Sequence, residues 1–147
     1  MAAHVHTQIR TAVAMALAGL ATTGSNVFTN RLYPMESTAL PGLRVFTDNE
    51  SVEVQTVHTP HVQARSLDLV VECCAQANAA LDTSCDQMAK EVETALAAGI
   101  TVGGKTLECV LTASGYDDQP AGTPAGVKRL TFQVQFYTLN NAPDALI

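Results

Sequence analysis

Tryptophan is missing from this 147-residue chain, and tyrosine occurs only three times. A cleft that grips sugars stacks them on aromatic faces, so the chain lacks the means to build one. Asp68, Glu72 and Glu108 could project from one sheet face, yet without that cleft they do not form the carboxylate pair of a glycosidase. They read as charges on a solvated strand face. Basic residues are also scarce: 8 Lys and Arg stand against 14 Asp and Glu, for a net charge of −6 and a pI near 5.0. The eight are scattered, which excludes the basic stripe of a tight nucleic-acid binder. An acidic body repels a passing polyphosphate instead. No apolar run reaches the length of a membrane span, so no membrane partner is expected. With 47% hydrophobic and 15% charged residues, intrinsic disorder is excluded as well.

Catalytic and metal motifs are equally thin. Gly-x-Ser-x-Gly does not occur, and Ala113-Ser114-Gly115 closes a strand with no helix following it as a nucleophile elbow requires. Gly103-Gly104-Lys105 resembles a phosphate loop only in composition. It lacks the upstream glycine at Walker spacing, and a strand follows it, so it reads as a turn with a strand-edge lysine. His58-x-x-His61 and His4-x-His6 do not match the ligand spacing of structural zinc sites, and His4 and His6 are expected on a frayed terminus. Cys73 and Cys74 are strand neighbours whose side chains point to opposite faces and do not easily pair. With Cys85 and Cys109 they read as reduced apolar fillers of a cytoplasmic protein. No cofactor, no metal and no enzyme activity are expected.

What is present is a single domain over residues 1–147 with regular alternation. Ile9, Val13, Leu17 and Leu20 form a helix stripe, predicting a first helix over 7–20 with Thr7 as N-cap and Gly24 beyond its end. Residues 11–21 also imitate a signal peptide, which opens a rival reading as a secreted ligand-binding domain. Their apolar content, however, is mostly alanine, and a cleavable segment needs no stripe. Short strands are predicted at 27–28, 43–47 and 52–57, with Asp48, Asn49 and Glu50 as the turn between the last two. Residues 58–61 read as a loop. Leu67, Leu69, Val71, Cys73 and Ala75 share one face of the firmest strand. A second helix starts near 82–84, carries Asp86 in its first turn and the stripe Cys85, Met88, Val92 and Leu96, and stops at Gly99. Strands over 106–113 and 129–137 close the domain around a Gly- and Pro-rich loop at 116–126, expected to be mobile. The fold class is α+β: a central antiparallel or mixed sheet with two helices packed on one face.

The order of short motifs near the N-terminus carries a resemblance. Ile9-Arg10 sits in the opening helix, Thr23-Gly24 with Val27 marks a strand entry, and Leu40-Pro41-Gly42-Leu43-Arg44-Val45 leads the next strand. Between them, Tyr33-Pro34 and Leu40-Pro41 hold the chain extended. This order, with the elements that follow, resembles the phage tail terminator family, the minor tail protein U group of long-tailed phages. The resemblance implies a non-enzymatic virion protein at the head-proximal end of the tail, assembled in the host cytoplasm. It implies a hexameric ring of copies of itself on the finished tail tube, stopping tube polymerisation and offering the head-joining surface. The implied partners are the tail tube protein and a head-completion or neck protein, with DNA passing the lumen without specific binding. The alternative within the virion is a neck or head–tail connector protein.

Surface for self-association is then the object of interest. Asp48, Asn49 and Glu50, and Tyr116, Asp117 and Asp118, lie in segments expected to order on assembly. The strands at 43–47 and 52–57 carry few charges and suit a sheet edge open to a neighbour. Gln133, Gln135 and Tyr137 form a polar uncharged strip on the last strand, of the kind a wet contact uses.

Overall fold

A computed structural model describes residues 2–29, 40–76, 80–117 and 125–147. The elements run α1 (Val5–Leu17), β1 (Val27–Phe28), β2 (Gly42–Val54), β3 (Val62–Gln76), α2 (Leu81–Leu96), β4 (Ile100–Val102), β5 (Lys105–Leu107), β6 (Cys109–Asp117) and β7 (Ala125–Leu139). Five strands form one sheet in the order β1-β2-β3-β7-β6, and β4 with β5 makes a separate hairpin. The sheet is mixed, because β1 runs parallel to β2 while every other pairing is antiparallel.

Both helices cover the same face. Alternation on β3 sends Leu67, Leu69, Val71, Cys73 and Ala75 into the core. Leu130, Phe132, Val134 and Phe136 of β7 and Leu43 and Val45 of β2 join them in register. Val5, Ile9, Val13 and Leu17 of α1 and Cys85, Met88, Val92 and Leu96 of α2 close over this layer, as their helical spacing requires. The α+β arrangement with both helices on one face agrees with the alternation.

Several local expectations are overturned. Asp48, Asn49 and Glu50 do not form a turn. β2 continues through them, and a bulge between Thr47 and Glu50 absorbs one extra residue because β3 opposite runs on unbroken. The bulge also inverts the alternation, so that Glu50, Val52 and Val54 lie on the helix side of the sheet. Helix α1 starts two residues earlier than its stripe suggested. His4 is its cap, accepting from the His6 backbone N–H, so neither histidine frays. The chain leaves α1 through Gly19 at φ 85°, five residues short of Gly24. Ala80 stands at the N-cap of α2 with no side-chain cap bond, Asp82 is the first-turn acid, and Asp86 lies further along.

The strand expected over 106–113 is two pieces, β5 and β6, broken at Glu108, and β4 adds a strand that alternation missed. Gly103 and Gly104 both hold positive φ, 56° and 79°, which is the geometry of a tight two-residue hairpin turn. Residues 116–117 and 125–126 of the expected loop are strand. The rest of that loop, Asp118 included, and the Tyr33-Pro34 step lie outside the described residues. Gly99 does end α2, at φ 82°. All four cysteines are free thiols. Burial raises the pKa of each, to about 12 at Cys74 and about 11 at Cys109, so they stay protonated and act as packing groups.

Candidate interaction surface

The face of the sheet that the described helices leave free, called helix-free below, is closed at one end and open at the other. At the closed end Arg44 and Glu72 lie opposite each other on β2 and β3, and Arg44 Nη1 donates to Glu72 Oε1 over 2.6 Å. Both side chains are almost fully buried, so Glu72 is no solvated outer-face carboxylate. The Phe46 ring receives the Arg44 guanidinium at 5.5 Å and that of Arg129 at 5.6 Å. Arg129 also reaches Asp48 over 3.4 Å. Arg44 and Arg129, the described arginines of this face, therefore each have a carboxylate beside them.

At the open end β7 carries Gln133, Gln135 and Tyr137. With Thr106, Glu108 and Val110 they line a concavity of about 360 Å³. Gln135 and Tyr137 are exposed, and Gln133 is half-buried against Val110 of β6. The sequence-derived strip is thus one continuous lining beside an edge strand.

The other candidate residues fall elsewhere. Glu50 is held at the helix side by His6, 2.7 Å away, and by Arg65 at 3.1 Å. Asp48 and Asn49 are exposed in the bulge. Tyr116, at the end of β6, donates its hydroxyl to Asp86 of α2 over 2.5 Å, and Lys128 reaches the same carboxylate oxygen over 2.8 Å. These two bonds hold the Asp86 pKa below its ordinary value, and the carboxylate in turn raises those of Tyr116 and Lys128. Asp117 pairs through its backbone with Val127. The structure therefore gathers the β7 strip into one surface but does not join it to the bulge or to Tyr116.

The strand expected to suit an open edge carries one further part of the surface. Val52, Val54 and Val57 are exposed at the outer end of β2 and beyond it, Val57 at 90%, and Val110 and Leu111 are exposed on β6. Valines at alternate positions in a strand poor in charge were the available signal. Among the described residues no group of three or more His, Cys, Asp or Glu side chains is placed to hold a metal ion.

The α1 cap predicts a pH dependence. Partial burial, then the neighbouring His6, keeps the His4 pKa below its usual 6.5. The folded state thus binds this proton less readily than the unfolded chain does. The stabilisation is complete above about pH 6.5 and is lost as the pH falls through the folded-state value. His4→Ala should cost about 0.5–1 kcal/mol at pH 7.5, the range for a cap lost at an exposed site. At pH 5 the deficit should shrink, and His4→Asn should show little acid-side slope. Urea unfolding of the three proteins at both pH values checks this; an equal deficit at both would exclude titration of the cap.

The family model described as phage minor tail protein U matches residues 4–136, and the chain belongs to that family, a non-enzymatic structural component of the virion tail. Among solved structures, a chain of the "Virion of native gene transfer agent (GTA) particle" shares the fold at a TM-score of 0.52 with 20% identity, over 92% of each chain. The comparison with curated proteins finds no match.

Proposed function

We propose that this chain closes into a six-membered ring on the finished end of a tail tube, blocks further subunit addition and presents the surface that receives the head. The family match over residues 4–136 is the observation that carries the reading. A ring follows physically if one surface of a subunit fits a different surface on the next and the rotation closes. The helix-free face suits the lumen. Arg44 and Arg129 there are each paired with a carboxylate, so the face offers little to grip phosphate by counterion release. DNA would pass it without stalling.

Deletion of the gene in a phage that carries it is the test. Loss of a terminator should leave tails of uncontrolled length and heads unjoined. Tails of normal length that stay unjoined would assign the chain to the neck as a head–tail connector. Infectious particles would refute both readings.

A further inference from the structure

The two outer edges of the sheet differ, and the difference fits one edge to the other. β1 pairs with β2 only at Leu43 and Arg44, so from Thr47 to Val54 the outer side of β2 has no strand partner among the described residues. Soluble proteins usually blunt such an edge. Here its outer end instead exposes Val52 and Val54 on the helix side of the sheet and Glu53 on the other. The opposite edge is β6, uncharged from Cys109 to Tyr116 and interrupted by one bulge, with Val110 and Leu111 exposed. β6 stops at Cys109, opposite Val134, so beyond that point the flank of β7 is bordered by the β5 segment around Lys105 and Thr106 and by Ile147.

The heights match. Glu53 pairs with Ala64, and Ala64 with Tyr137, so Glu53 lies level with Tyr137 across the sheet. Lys105 borders the same small hollow as Tyr137. Glu53 and Lys105 are both exposed and make no ion pair within the described chain, yet they have opposite sign and stand at opposite edges. β2 and β6 also run in opposite directions, since three antiparallel steps separate them.

We propose that the partner of the β2 edge is a second copy of this chain: the outer end of β2 joins the β6 edge and its foot on the next subunit, Glu53 meeting Lys105. The join is antiparallel, the better hydrogen-bonded arrangement, and it keeps the helices of successive copies on one side. At that height Val52 and Val54 meet the foot of the neighbouring edge, where Ile147 is exposed, and Glu50 comes level with Cys109. Two different edges are used, so the contact is head-to-tail and can close a ring. The inference rests on the ring reading and specifies its contact.

The test uses the full chain, by light scattering after size exclusion, free and with tail tubes added. Wild type should run as a ring. Glu53→Lys and Lys105→Glu should each weaken association about tenfold or more, since like charges then face each other. The double variant E53K/K105E should restore it. An equimolar mixture of the two single variants should also restore it, because every contact in an alternating ring is then of opposite sign. Val52→Lys with Val54→Lys should give folded monomer, its melting curve unchanged because both side chains are exposed. Rings that persist in all these variants, or a double variant that fails to recover, overturn the edge contact and leave the ring reading standing. A wild type that stays monomeric even with tubes overturns both.

Discussion

Glu72→Ala should lower the unfolding free energy by about 3–5 kcal/mol, the cost of leaving a buried charge without its partner. For a chain of 147 residues this corresponds to a fall in Tm of about 10–15 °C. The physical reason is the burial of Arg44, which is 2% exposed beneath the helix-free face. In the native protein its guanidinium bonds Glu72 and lies against Phe46. Without the carboxylate the charge stays out of water and loses its ion-pair partner Glu72. The double replacement Arg44→Met with Glu72→Leu should recover most of the loss, because an apolar pair of similar volume needs no compensation in that site. Denaturant unfolding of the three proteins decides it. A cost below about 1 kcal/mol for Glu72→Ala would mean that water reaches Arg44.

The second large effect belongs to the middle of the core. Phe132 is 2% exposed on β7, opposite Leu69 of β3 on one side and Leu111 of β6 on the other. Phe132→Ala should cost about 3–5 kcal/mol, the transfer free energy of the ring together with the cavity left between sheet and helices. Phe132→Leu should cost less than about 2 kcal/mol, since most of the volume is kept. Because β7 also carries Gln133, Gln135 and Tyr137, the alanine variant should lose association at temperatures where the leucine variant keeps it. Calorimetry with size exclusion at matched temperatures measures both. Equal stability of the two variants would show that the core closes over the gap.

Much of the fold was legible because burial leaves a period in the sequence. Leu67 to Ala75 on β3 and Leu130 to Phe136 on β7 alternate with a period of two, and each face lies where the alternation put it. The stripes Ile9-Val13-Leu17 and Cys85-Met88-Val92-Leu96 have helical spacing, and both helices pack on that one face. The motif order near the N-terminus carried the family, which the match over residues 4–136 shows. The polar strip Gln133, Gln135 and Tyr137 was likewise readable, since it is the other half of the same alternation.

What only the tertiary structure decided concerns features whose partners are distant in the chain. Asp48-Asn49-Glu50 has the composition of a turn, but the local preference yields to the continuous ladder along β3, and the result is a bulge. Glu72 reads as a solvated carboxylate until Arg44, 28 residues away, is placed opposite it in the closed end of the sheet. Glu50 reads as surface until α1 brings His6 down onto it. The few charges at 43–47 and 52–57 already suited a sheet edge; which neighbour lies on each side, and that Val52 and Val54 end on the rim, follows only from the strand order β1-β2-β3-β7-β6. Periodicity tells which side chains turn inward, since that is a property of one strand. Pair chemistry and sheet edges are properties of two, and they exist only once the chain has folded.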